Sequence, residues 1–247
     1  MCTVLMLTSL LQSSTQRLQN KMKSLSPRLM AVARFIRHGK RVADIGTDHG
    51  YLPVYLAENG MSDSIIAADL RVGPLKNARQ NIEAAGLEDR ISLRLSDGLQ
   101  AFSAQEVDEI SIAGMGGILI AQIMEQAPWL KTGNKHLVLQ PMSHPEVLRE
   151  FLMKNGYTII EETVCEDSGK IYCVMSVAFS GEKAEYPQHY EYYGEIPSCK
   201  EPLAKEYLSR LGFRLSRDAD SMRCADPARA DKLYSVSEKI ECILSNM

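Results

Sequence analysis

The chain has 247 residues, 45% of them hydrophobic, and a formal net charge of −3. That is enough apolar side chain for one large α/β domain with a smaller appendage, so a globular protein is expected. No stretch approaches the roughly 18 consecutive apolar residues of a membrane helix, "CTVLMLTSLL" has no positive region before it, and six scattered cysteines without a C-x-x-C pair indicate neither a zinc site nor a disulfide scaffold. The expected setting is cytoplasmic, with no membrane and no metal.

Charge is unevenly placed. Residues 1–43 hold eight basic side chains and no acid, leaving 20 basic against 31 acidic residues in the remainder. Three readings fit such a segment: a phosphate-contacting face, a solvated helix, or an organellar transit peptide. After an unpatterned 1–23, "SPRLMAVARFI" has a cap in Ser26, a first-turn proline in Pro27 and apolar residues at helical spacing, which predicts an amphipathic helix ending by Gly39. Arg28, Arg34 and Arg37 on it are the candidate contacts for nucleic-acid phosphate.

Strands and helices then alternate. Strands are predicted at "RVADIG", "SIIAAD", "ISLRLSDG", "EISIAG" and "HLVLQP", with helices over 52–58, 74–86, 117–127 and 144–156. Repeated βα units of this length imply a parallel sheet covered on both faces. "YTIIEETVCED" and "KIYCVMSVAFS" around "SGK" read instead as a hairpin, so the parallel sheet finishes with an antiparallel strand. Residues 181–199 read as a polar connection. Beyond them Leu208, Leu211 and Leu215, then Leu233, Val236, Ile240 and Ile243, mark two helices of an antiparallel, coiled-coil-like hairpin. The organisation is a 1–23 extension, a 24–180 domain and a 181–247 linker with helical hairpin.

In an open parallel sheet the ligand lies beyond the carboxyl ends of the strands. Gly46 and Gly50 make the turn after the first strand, Asp69 follows the second at the offset of a ribose-binding acid, Asp97 and Gly98 follow the third, and Gly114, Met115 and Gly116 follow the fourth. The turn "GTDHG" is a poor pyrophosphate cradle, because Asp48 would oppose phosphate at the helix amino end. S-adenosylmethionine carries a cationic amine and a sulfonium and no phosphate, so acids at Asp44, Asp48, Asp69 and Asp97 suit it. Asp44 has two readings, contact with ligand or hydrogen bonds to loop amides.

The stretches "LSPRLMAVARFI", "VADIGTDHGYLP", "GPLKNARQNIEAAGL", "SDGL", "IAGMGGILI", "LVLQP" and "SGKIY" resemble the bacterial tRNA (adenine(22)-N(1))-methyltransferase family. The resemblance spans residues 24–180 and implies a Rossmann-like class I methyltransferase sheet followed by a helical domain, S-adenosylmethionine as cofactor and tRNA as partner. Thr47 stands where the family usually has Ser, Gly50 where Ala is common, and Met142 where Asn commonly follows "LQP". With Thr47 and His49 from the same turn, the candidate cofactor set is complete. Asp48 is the candidate group facing adenine as its ring becomes positive, with contact to the methionine amine as the alternative. Tyr51 reads either as a stacking partner for the base or as a core tyrosine. His144 and Arg149 read as RNA-facing or as parts of an ordinary helix. A monomer is favoured. Two other functions fit the fold pattern: a nicotinamide-dependent oxidoreductase, for which G-x-G-x-x-G is missing, and a non-catalytic RNA-binding module.

Overall fold

The computed structural model describes residues 25–182 and 184–247. The extension over residues 1–23, with Arg17, Lys21 and Lys23, lies outside the described residues. Two compact units divide at Ser111/Ile112, within one strand.

The first unit opens with helix α1 (Pro27–Phe35), whose Ser26 Oγ accepts the Leu29 amide at 3.4 Å and whose Ala31, Val32 and Ala33 are buried. It stops short of Gly39. Ile36 is already extended, and the Arg37 amide turns to the Glu109 carboxylate at 3.4 Å instead of continuing the helix. Strands β1 (Val42–Ile45), β2 (Ile65–Asp69) and β3 (Ile91–Leu95) pair in parallel, Val42 with Ile65 and Ile65 with Ile91. All four residues of β1 are buried, as befits a strand covered on both faces, whereas β3 forms the sheet's edge and exposes Ser92 and Leu95. Helix α2 (Tyr51–Glu58) follows β1, and α3 (Val72–Ala85) follows β2 and closes on Gly86 at φ 65°.

Strand β4 (Glu109–Gly116) leads into α4 (Gly117–Glu125), β5 (His136–Ser143) and α5 (Pro145–Lys154). β6 (Tyr157–Asp167) and β7 (Lys170–Phe179) form the expected hairpin. Ser168 and Gly169, at φ 53° and 77°, both adopt the left-handed backbone that a two-residue turn requires. The strand order is β3-β2-β1-β4-β5-β7-β6. β7, the last strand in the chain, is antiparallel to both β5 and β6 and lies between them.

The segment read as a polar connection contains buried structure. A one-turn helix, α6 (Tyr190–Tyr193), and a 3-10 turn over Ile196–Ser198 bury Tyr190, Tyr193 and Ile196. Tyrosine hides this from a composition reading: the rings of Tyr186, Tyr190 and Tyr193 pack together, while Tyr190 donates its hydroxyl to Glu195 at 2.8 Å. Helices α7 (Leu203–Met222) and α8 (Pro227–Asn246) then pair along Leu208, Leu211, Leu215 and Ala219 against Ala230, Leu233, Val236 and Ile240. The short turn between them is capped by Asp226, and Ser237 donates to the Gly212 carbonyl at 3.1 Å where the two backbones approach. Ile243 is half-buried.

Candidate active site

The β1 turn is held to β2 by its backbone. Gly46 (φ 76°) and Thr47 both donate amides to the Ala68 carbonyl, at 2.8 and 3.0 Å, and Gly50 (φ 69°) donates to Thr47 at 2.9 Å. Gly50 also sits against α3: a side chain there would meet the Ala78 Cβ at 3.1 Å. The turn presents its two acids differently. Asp44 is buried, and burial raises its pKa to about 6 against the opposing influence of the Thr47 and Ser111 hydroxyls. Both hydroxyls face the Asp44 carboxylate, but neither makes a well-formed hydrogen bond.

Asp48 is exposed and holds φ 50°, a left-handed backbone that costs a non-glycine residue about 1 kcal/mol or more. Its Oδ2 lies 3.5 Å from His49 Nε2. His49 stacks on Tyr51 with ring centroids 5.3 Å apart, and Asn81 donates to the His49 carbonyl at 2.8 Å. Tyr51 is 37% exposed, so the core reading does not apply.

At the end of β2, Asp69 is buried, with Oδ1 accepting the Arg71 amide at 2.9 Å. Beside it Leu70 and Val72 are exposed apolar side chains, and periodicity does not mark them because they lie in the turn and at the first helical position. At the end of β3, Ser96 is buried and receives the Ala101 amide while donating to the Gly98 carbonyl, leaving Asp97 exposed on a turn whose Gly98 adopts φ 53°.

In the second unit, Gly114 (φ 80°) donates its amide to the buried Gln140 side chain at 3.0 Å. A lone Gln within "LVLQP" carries no pattern that marks Gln140 in the sequence. Met115 is half-buried. Packing requires Gly117, where a Cβ would strike the His144 carbonyl, whereas a Cβ on Gly116 would lie 3.1 Å from Ser143 Oγ, a side chain that can turn aside. Met142 is 43% exposed at the end of β5.

Two arginines read as RNA-facing hold other places. Arg149 is fully buried, donating to Glu162 at 3.0 and 3.1 Å and to the Glu191 and Tyr192 carbonyls, and therefore cannot approach RNA. Arg37 is half exposed, yet its Nε bonds the wholly buried Glu109 at 2.5 Å, so its first role is to neutralise that carboxylate. Arg28 is half-buried and Arg34 exposed, on faces of α1 about 120° apart.

The turns at the ends of β1, β2 and β3 carry acids and glycines, without a phosphate cradle, on the sheet of a methyltransferase. A family model described as a methyltransferase domain matches residues 25–175, and the chain belongs to the methyltransferases. Within them it is a member of the tRNA (adenine(22)-N(1))-methyltransferase family. It is 43% identical to the Bacillus subtilis enzyme of that name over 164 residues, covering 66% of this chain and 68% of the relative. The solved B. subtilis m1A22 tRNA methyltransferase aligns with TM-score 0.75 and 32% identity over 90% of this chain and 98% of its own. A Streptococcus pneumoniae protein solved with S-adenosyl-L-methionine aligns with TM-score 0.77 and 32% identity, covering 90% and 100%.

Proposed function

We propose that the protein transfers a methyl group from S-adenosylmethionine to N1 of an adenine in tRNA, adenine 22 by family. The observation that carries the reading is the β1 turn. A buried acid, an orphaned buried hydroxyl and an exposed acid on a strained backbone together suit a cationic ligand without phosphate. The nicotinamide alternative loses its basis, since family membership and the acid-lined turn agree against it.

S-adenosylmethionine supplies an electrophilic methyl on a sulfonium. Asp69, with one carboxylate oxygen already tied to the Arg71 amide, takes the ribose hydroxyls, and Leu70 and Val72 flank the adenine ring. Asp97 takes the exocyclic amine. Asp44 and Thr47 hold the methionine end, with Gly46, His49 and Gly50 shaping the turn. The assignment extends to Gly114, Met115 and Gly116 at the end of β4.

Asp48 faces the substrate base. As adenine N1 takes the methyl, positive charge spreads over N1 and the N6 amine, and a carboxylate at that edge lowers the barrier. Tyr51, exposed and braced by His49, offers its face to the adenine. Arg28 and Arg34 contact the tRNA backbone with the helical hairpin. Among the described residues no helix is long and apolar enough to cross a membrane.

The test is nucleoside mass spectrometry of unmodified tRNA incubated with the protein and methyl-labelled cofactor. Labelled 1-methyladenosine is expected. Label in another nucleoside overturns the position, and unlabelled tRNA favours the non-catalytic RNA-binding reading.

A further inference from the structure

Helix α7 presents two opposite faces. At 100° per residue, Leu208, Leu211, Leu215 and Ala219 form the buried seam with α8, while Arg210, Phe213, Arg214 and Arg217 fall within an arc of about 100° on the far side. Phe213 is 74% exposed, more than any other large apolar side chain among the described residues. This aromatic ring, set far into water between three arginines, lies outside the buried seam.

The neighbouring charges are available for exchange. Arg210 pairs with Glu206 at 2.5 Å and Arg217 with Asp218 at 3.7 Å, both between substantially exposed side chains that a phosphate can displace at little cost. The stripe is also continuous with a cleft of about 780 Å³. Arg210 and Arg214 share its α7 wall with Tyr207, Leu211 and Leu215, Lys170 and Arg229 add positive charge, and Met142 stands at the end of β5, where ligands of parallel sheets bind. Glu146 and Asp218 are the acids of that lining.

We infer that this face binds an unpaired stretch of the RNA substrate, with a nucleobase stacked on Phe213 and the adjoining phosphates held by Arg214 and Arg217. The inference rests on the tRNA reading and deepens it. Arginine and an exposed aromatic at helical spacing match a polyanion that carries flat rings, since base stacking tolerates any sequence while phosphate contacts set orientation.

Binding is measured by fluorescence anisotropy on a labelled, unmodified tRNA transcript, separately from methyl transfer. Phe213→Ala should weaken binding about 5- to 150-fold, the range of a single base stack, with an unchanged salt slope. Phe213→Trp should restore it. Arg214→Ala should instead lower the slope of log affinity against log salt by about 0.7. Wild-type affinity in Phe213→Ala, or no rescue by Trp, overturns the stacking site. So does a change in oligomeric state of Phe213→Ala with RNA affinity intact, which would make the face a protein contact. A wild-type protein that forms 1-methyladenosine beside such a result loses only this inference; one that neither binds nor methylates tRNA loses the functional reading as well.

Discussion

Asp44 and Asp48 stand four residues apart, and burial separates what each can do. In the protein without cofactor, the raised pKa of Asp44 means its contribution to stability is present below about pH 4 and is lost as pH rises through about 6. A cationic ligand reverses the preference, because it binds the ionised carboxylate. S-adenosylmethionine should therefore bind about tenfold more weakly at pH 5 than at pH 8, and Asp44→Asn should remove most of that dependence. Calorimetry giving the same affinity at both pH values would leave Asp44 bonded only to its loop. Asp48→Asn, by contrast, should keep cofactor affinity and lose about 100-fold in turnover. The left-handed backbone supplies a control: Asp48→Gly relieves the strain, so its melting temperature should hold or rise while its turnover falls as far. Parallel losses of affinity and rate would move Asp48 to the methionine amine. Asp69→Ala should weaken the cofactor about 10- to 150-fold, as expected for a charge-assisted hydrogen bond, and an unchanged dissociation constant would take it out of the site.

The buried pair between α5 and β6 governs how the chain leaves the sheet. Arg149 stays charged: burial, the largest single influence, opposes its charge, and the Glu162 carboxylate leads the neighbouring groups that together outweigh it. The same two side chains receive the 191–195 backbone, through the Glu191 and Tyr192 carbonyls and through the Glu195 amide at 2.6 Å from Glu162. Gly194 completes the clasp, since a Cβ there would collide with both Glu162 and Arg149. Glu162→Gln should cost about 3–5 kcal/mol in chemical denaturation, because it leaves a guanidinium buried without its counter-charge. Replacing both partners with apolar residues should recover much of the loss. A single substitution costing under about 1 kcal/mol would show that water reaches the pair.

For the molecule as a tRNA enzyme, the acidic cofactor turns cannot attract a polyanion, so affinity has to come from basic faces elsewhere. Replacing Arg28 and Arg34 with Ala should lower the salt slope of tRNA binding by about 0.7 for each phosphate no longer neutralised and leave cofactor affinity within about twofold. An unaltered slope would make α1 a solvated cover. Arg37→Ala is a different experiment. It removes an ion-pair partner of the buried Glu109 carboxylate, and the expected result is a lowered melting temperature before any effect on RNA.

Local chemistry made much of this legible from residues alone. Ser26-Pro27 started a helix, "SGK" turned a hairpin, Gly86 ended α3, and two leucine-rich stripes paired as helices, because caps, turns and periodic faces act over a few residues. The acids at the ends of the strands were equally readable, since strand ends converge in any parallel sheet. Other features depend on partners distant in sequence. The place of β7 between β5 and β6, the burial of Arg149 against Glu162, the capture of Arg37 by Glu109 and the packing of Tyr190 and Tyr193 each join residues that no periodicity relates. An arginine or tyrosine reads as surface in a sequence, and only the fold, by supplying a counter-charge or a hydrogen-bond acceptor, lets it become core.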